Sequence, residues 1–299
     1  MSKHIFWIPS YPKSGNTLLR AIISSLFFSN DGKFNFNLLR PINTFENKKR
    51  LEFIKDISDT DFNSLNKLKI LSKYWNMIQS KSNLDFEEDM IFMKTHHALV
   101  KYENIPFAIQ EDCRGFIYVI RDPRDVAISW AHHAKISIDK SIDFITNDFS
   151  GTHWNDHQGS LLSKNVEPLT IVSSWEKNIK SWVESKWTCP KLILRYEDLV
   201  YDKGNTVTSI VNFFINKLNF KIMNLDKKIE NIIETTNFSE LKKIEKNTGF
   251  IEAKNGPFFR VGEKNQWEKK LNNTQIKIIE NKFKKTMIKF GYEFSKKDS

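Results

Sequence analysis

Apolar and polar positions follow two rhythms along this chain. Short, continuously apolar runs recur near 4–9, 90–95, 115–120 and 191–196. Runs this short, bounded by turn residues, predict strands buried on both faces. Between them apolar residues return every three or four positions, the period of a helix with one buried stripe. Leu18 to Phe27 is such a stretch, and Val126 to Trp130 and Trp175 to Trp187 are others. Near the C-terminus, residues 274–290 carry Ile276, Ile279, Phe283, Met287 and Phe290, and Gly291 is placed to cap that helix. Strands alternating with helices predict an α/β fold, a single domain over 1–299 with a central parallel sheet flanked by helices. No internal repeat and no Gly-, Pro- or Ser-rich linker interrupts it. Residues 46–82 are charged and helix-rich, with Leu51, Ile54, Ile57, Phe62, Leu65, Leu68 and Leu71 as the expected buried stripe. Residues 131–168 are less regular, with Gly151, His153, Trp154, His157 and Gly159, and a stretch of that kind is usually a lid, a binding loop or disorder.

Candidate chemistry sits where two predicted strands run into helices. After Ile5–Ile8 the chain breaks at Pro9 and Pro12 and passes through Lys13, Ser14, Gly15, Asn16 and Thr17 into the Leu18–Phe27 helix. A strand, a tight turn and a helix N-terminus present several backbone N–H groups to one anion. Lys13 adds a cation, and Ser14 and Thr17 add hydroxyl donors, so the turn is suited to a phosphate. It is not the nucleotide P-loop G-x-x-x-x-G-K-[ST], because its lysine precedes the only glycine by two residues. The second junction is Gly115–Ile120 followed by Arg121-Asp122-Pro123-Arg124-Asp125. Asp122 is a helix cap and Pro123 a first helical residue. Arg121 offers a planar fork of donors that matches a phosphate dianion. Ser129 lies eight residues on, within expected reach of the same anion. The bland alternative for Arg121 and Arg124 is surface ion pairing with Asp122 or Asp125.

A third group, Lys94-Thr95-His96-His97, emerges at the C-terminal end of a predicted strand, where open α/β sheets place their ligands. His97, His132, His133, His153 and His157 are read as ordinary core or surface histidines; His96 is the candidate base.

The order Tyr-Pro-Lys-Ser-Gly-Asn-Thr resembles the 5′-phosphosulfate loop of sulfotransferases that use 3′-phosphoadenylyl sulfate (PAPS). Arg-Asp-Pro-Arg-Asp-Val-Ala-Ile-Ser resembles the same family's 3′-phosphate motif, and Lys-Thr-His its segment with the catalytic base. Weaker matches are Tyr196-Glu197-Asp198, Thr236-Asn237-Phe238 and the run Arg260-Val261-Gly262 with Trp267. All six occur in family order from residue 7 to residue 267. The resemblance implies a P-loop-like nucleotide-binding architecture. It also implies a cofactor site of Lys13, Ser14, Gly15, Asn16, Thr17, Leu18, Arg121, Ser129, Tyr196, Thr236, Phe238, Arg260, Val261 and Gly262. Catalysis would fall to His96 as general base, with Lys13 and Lys94. The donor would be PAPS, the product adenosine 3′,5′-bisphosphate (PAP), and no metal is expected. Phe238 is expected to pack against the adenine. Val261 stands where the family has a lysine, and Lys264 is the expected substitute cation. Residues 31–90 and 131–168 are expected to be acceptor-side insertions.

Composition constrains partners. The 299 residues suffice for one substantial core. The net charge of +10, from 46 Lys+Arg against 36 Asp+Glu, favours arrival of an anionic ligand. It would suit nucleic acid equally, but pairs such as Lys227-Lys228, Lys242-Lys243 and Lys284-Lys285 read as solvated helix faces. Cys113 and Cys189 belong to no C-x-x-C pair and are expected to be buried thiols. No apolar run approaches the ~18 residues of a membrane span, and the N-terminal apolar run is too short for a secretory core. A cytoplasmic enzyme acting on a small-molecule or glycan acceptor, without nucleic acid and without a membrane span, is the expectation. Oligomeric state is left open. The alternatives are a nucleotide-binding phosphotransferase and a non-catalytic binder of PAPS or nucleic acid.

Overall fold

The structure, a computed structural model, describes residues 4–46, 64–80, 84, 90–152, 169–253 and 256–295. Nine strands occur among them: β1 Ile5–Pro9, β2 Asn43–Thr44, β3 Ile91–Thr95, β4 Lys101–Tyr102, β5 Ile105–Pro106, β6 Cys113–Ile120, β7 Gly151–Thr152, β8 Thr170–Ile171 and β9 Lys191–Arg195. The main sheet has the order β2-β3-β1-β6-β9, and β4-β5 and β7-β8 are two-residue antiparallel ribbons. β1 pairs in parallel with both β3 and β6, and β2 pairs in parallel with β3. All five residues of β1 are buried, as are all but Arg114 of β6. That is why their sequences read as unbroken apolar runs. All four strands expected from the sequence are present. β2, only two residues long, leaves no periodic signal and was not foreseen.

The chain groups into two compact units. The first comprises Met1–Tyr11, Asn43–Tyr118 and Asn147–Lys191. Its core is aromatic. Trp7 lies 5.8 Å from Trp182 and 5.7 Å from Phe107, and Phe116 lies 5.5 Å from Trp182. The helix Ser64–Gln79 buries Leu68, Leu71, Trp75 and Ile78. The rest of the expected 46–82 stripe (Leu51, Ile54, Ile57, Phe62 and the Leu65 side chain) lies outside the described residues. The helix Trp175–Val183 ends before Trp187, where the Lys191 ammonium takes the carbonyls of Val183 and Ser185 at 3.0 and 3.3 Å. Cys113 and Cys189 are buried thiols with their sulfurs 3.3 Å apart.

The second unit comprises Pro12–Ile42, Val119–Thr146 and Leu192–Ser299. The helix Asn16–Phe28 buries nearly its whole length, and Phe214, Phe283 and Met287 fill the core of the unit. Asp122 caps the helix Pro123–Ala134 by accepting the Arg124 N–H at 2.9 Å. Arg124 is no surface residue. Its guanidinium meets Asp122 and Glu280 at 2.6 Å each, donates to the Glu293 carbonyl at 2.9 Å and lies 3.6 Å over Trp267. The C-terminal helix Asn273–Lys289 is thereby tied to the start of the Arg121-bearing segment, and its own start is a capping box of Asn272 and Gln275. A further helix, Ile138–Thr146, occupies part of the stretch expected to be irregular. Ser137 caps it, Ile142 and Ile145 bury its inner face, and Ser141 anchors it to the Ala127 carbonyl at 2.6 Å. Its apolar residues do fall at helical spacing (Ile138, Ile142, Ile145), but it is too short to stand out among polar neighbours. No helix among the described residues is long and apolar enough to cross a membrane.

Replacing Arg124 by alanine leaves Asp122 and Glu280 buried without their counter-charge. Unfolding free energy from urea titration is expected to fall by roughly 3–5 kcal/mol.

Candidate functional site

In the second unit the turn before the Asn16–Phe28 helix is built around two left-handed residues, Lys13 at φ 65° and Gly15 at φ 100°. A lysine held there costs about 1–2 kcal/mol. Left-handed residues on either side of Ser14 fold the backbone into a concavity of N–H donors. Among the described residues no side chain caps the helix that follows, and no acidic residue lies in its first turn. A helix start of this kind, without a side-chain cap or an acidic residue, favours an anion. Ser14 is fully buried, and among the described residues its hydroxyl has no hydrogen-bond partner. A buried hydroxyl in that state costs roughly 1–3 kcal/mol, and a phosphate oxygen would restore its bond. The glycine is required for a second reason. A Cβ at position 15 would lie 2.5 Å from Tyr196 Cδ2.

Arg121 completes the cradle. Its Nη1 donates to the Lys13 carbonyl at 3.2 Å and its guanidinium stacks 4.3 Å from the centre of the Tyr196 ring. Tyr196 thus fills the space between Gly15 and Arg121. The neighbouring Glu197 accepts the Asp122 N–H at 3.1 Å and the Tyr292 hydroxyl at 3.1 Å, which fixes the peptide after Arg121. Asp125 is buried, accepts the Trp267 N–H at 3.1 Å and has its other oxygen 4.0 Å from Arg121 Nη2. Burial pushes its carboxyl up to about 6, against the pull of Arg121. Lys13 places its ammonium 4.5 Å over Phe258. Burial, then Arg121 and more weakly Arg260, lower it to about 8, with Glu252 opposing them. Arg260 is itself lowered by burial and by Arg121, and His132 by burial and then by Arg260, Lys13 and Lys270. Cations gathered this closely at a helix N-terminus suit a polyanion.

The other expected nucleotide residues fall around this cradle less evenly. Asn16, Thr17 and Leu18 are buried in the first turn of the helix. Thr17 donates to Glu252 at 3.2 Å, and Arg20 grips the same carboxylate at 2.7 and 2.9 Å. Neither Arg20 nor Glu252 is signalled by the sequence, since 232 positions separate them. Ser129 is half-buried, two turns into its helix rather than at its start. Phe238 lies against the backbone of Gly262, where a Cβ would meet the ring at 2.4 Å. The Thr236 hydroxyl is turned back on its own helix, donating to Ile232 at 2.6 Å. Val261 is 36% exposed, and Lys264, the expected substitute cation, sits 4.7 Å over Tyr201.

The first unit holds a separate cluster. Pro9 pairs with Thr95 in the parallel register, so Ser10 and His96 leave the sheet side by side. His96 Nδ1 lies 2.8 Å from the Ser10 carbonyl oxygen, with the Ser10 hydroxyl 3.3 Å away. A carbonyl can only accept, so Nδ1 carries the proton and the lone pair is on Nε2. The His96 main chain is held on both sides. Its N–H donates to Glu46 at 2.7 Å, and its carbonyl accepts from the Asn178 amide at 3.0 Å. Asn178 is in turn fixed by the Tyr118 hydroxyl at 2.6 Å. Glu46 also accepts from the Thr95 hydroxyl at 2.6 Å and pairs with Lys94 at 3.5 Å. Burial pushes the Glu46 carboxyl up, but Lys94, His96 and the two hydrogen bonds outweigh it and hold it at about 2. Nothing in the sequence near Glu46 marks it. His97 is a core residue, stacked on Phe107 at 4.0 Å and lowered to about 4 by burial. His132 is exposed, and His133 packs 5.6 Å from Trp130; His153 and His157 lie outside the described residues.

A family model described as "Sulfotransferase domain" matches residues 3–291. Human sulfotransferase 1E1 is 25% identical over 301 residues, which takes in 96% of this chain and 86% of that protein. Mouse sulfotransferase 1B1 is 26% identical over 208 residues, 68% of this chain but only 62% of the mouse protein's length. The crystal structure of mouse sulfotransferase SULT7A1 complexed with PAP superposes with a TM-score of 0.57 at 18% identity, covering 96% of this chain and 84% of that one.

Lys13 is expected to react with an amine reagent along a pH profile with its midpoint near 8, where exposed lysines titrate near ~10.4. Peptide mass spectrometry at graded pH reads this directly. Added PAP is expected to protect the residue.

Proposed function

The chain belongs to the sulfotransferase domain family, and we propose that it moves the sulfuryl group of PAPS to a hydroxyl or amine of a small-molecule or glycan acceptor. The observation that carries the reading is the cradle of Lys13, Ser14, Arg121 and Arg260 around a turn with two left-handed residues. PAPS supplies the activated sulfuryl group and a phosphate leaving group. Lys13 and the amides around Gly15 and Thr17 bind the 5′-phosphosulfate and stabilise charge on the departing oxygen. Preorganised donors of that kind are commonly the largest catalytic contribution. Arg121, with Ser129, takes the 3′-phosphate, and Arg260 supports it in place of the lysine absent at position 261. Phe238 and Tyr196 provide aromatic surface for the nucleotide.

His96 removes the acceptor's proton through Nε2. The tautomer read from its Ser10 contact supports this role, and general bases typically contribute 10²–10⁴-fold. Lys94 stabilises the sulfuryl oxygens. The enzyme works in the cytoplasm in this reading, without nucleic acid as a partner.

The test is transfer from labelled PAPS to a panel of phenols, alcohols, sugars and amines. His96→Ala and Lys13→Ala are each expected to lower turnover by at least ~10²-fold with the fold intact by circular dichroism. Full activity in either variant removes its assignment. Arg121→Ala is expected to raise KM for PAPS far more than KM for the acceptor. In the wild type, PAP affinity measured by calorimetry is expected to weaken as pH rises through about 8, because neutral Lys13 attracts the anion less.

A further inference from the structure

Glu46 touches more of the first unit's candidate machinery than any residue the sequence singles out. One oxygen takes the Thr95 hydroxyl and the His96 N–H at 2.6 and 2.7 Å; the other faces the Lys94 ammonium at 3.5 Å. Both Lys94 and Glu46 are largely buried, with side chains 14% and 13% exposed. A surface pair would contribute little, but in this setting the loss of one partner strands the other's charge.

We propose that Glu46 is a positioning residue that fixes the His96 main chain and holds the Lys94 ammonium in place beside it, so that the two act as one preset pair. The inference rests on the assignment of His96 as base. Glu46 serves three neighbouring groups at once: Lys94 by charge, Thr95 through its hydroxyl and His96 through its amide. Rotation of the carboxylate would break all three contacts together. Among the described residues, the titratable groups that face it are Lys94, His96 and, at longer range, His97. β1 brings Ser10 and the Trp175–Val183 helix brings Asn178, neither of which titrates in the working range. The carboxylate's field also favours the protonated form of the His96 ring.

Glu46→Gln keeps an acceptor for Thr95 and His96 but removes the charge. With the best acceptor of the panel, kcat is expected to fall about 10-fold in Glu46→Gln and up to about 100-fold in Glu46→Ala, the range seen when residues that orient functional ligands are removed. KM for PAPS is expected to stay within about twofold, as it should when only a transition-state contribution is lost. The acidic limb of the kcat profile is expected to move to lower pH in Glu46→Gln, because the neutral ring persists further once the anion is gone. A merely structural residue would lower the unfolding midpoint and leave that limb in place. Histidine ¹⁵N NMR on the free protein reads the same displacement of the His96 titration without any acceptor. Thr95→Val, which loosens the carboxylate without removing it, is expected to give a smaller loss in the same direction and serves if the Glu46 variants do not fold. Wild-type kcat and an unmoved limb in Glu46→Gln, with His96→Ala inactive, overturn the role of Glu46 alone. Full turnover in His96→Ala overturns the base assignment and this inference with it.

Discussion

Crowding of positive charge is the constraint on which the second unit is organised. Burial lowers the affinity of Lys13 and Arg260 for protons, and the neighbouring Arg121 lowers both further. The protein meets that cost with rings and buried carboxylates. Tyr196 lies under Arg121, Phe258 under Lys13, and Asp125 stands 4.0 Å from the arginine. Each support is itself fixed: Tyr196 against the bare backbone of Gly15, Asp125 by the Trp267 amide, and the Arg121–Asp122 peptide by Glu197. The compensation is incomplete, as the buried Ser14 hydroxyl shows, and an incompletely compensated cradle keeps its attraction for a bound anion.

The first unit solves a different problem, the orientation of one imidazole. It does so with main-chain register and three side chains from distant parts of the sequence. Parallel pairing of β1 with β3 delivers Ser10 to His96, β2 is followed by Glu46, and the helix Trp175–Val183 supplies Asn178. The aromatic core beneath, with Trp7, Phe107 and Trp182, gives these elements a rigid base, and Trp182 donates directly to the His97 carbonyl at 2.9 Å.

What could be read in advance was whatever is encoded locally. Buried parallel strands betray themselves as apolar runs, and the Lys13–Thr17 turn and the Asp122–Pro123 helix start announce themselves by residue type and order. Arg121, Gly15 and His96 were reachable for that reason. Glu46, Glu252, Glu280 and Asn178 were not. Their partners lie 50, 232, 156 and 82 positions away, and no spacing rule operates across such loops. The fate of Arg124 shows the same limit. A surface pairing with nearby aspartates was conceivable from the sequence, but only the tertiary fold brings Glu280 and Trp267 around it. β2 and the Ile138–Thr146 helix were missed because short elements carry little pattern of their own.

One consequence follows from the contact between His96 Nδ1 and the Ser10 carbonyl. In many enzymes the group that decides which imidazole nitrogen is basic is an aspartate or glutamate, and one codon change can delete it. Here it is a peptide oxygen, which every amino acid possesses. Substitution at position 10 leaves that oxygen in place, so the identity of the basic atom is inherited from the path of the polypeptide and is buffered against point mutation.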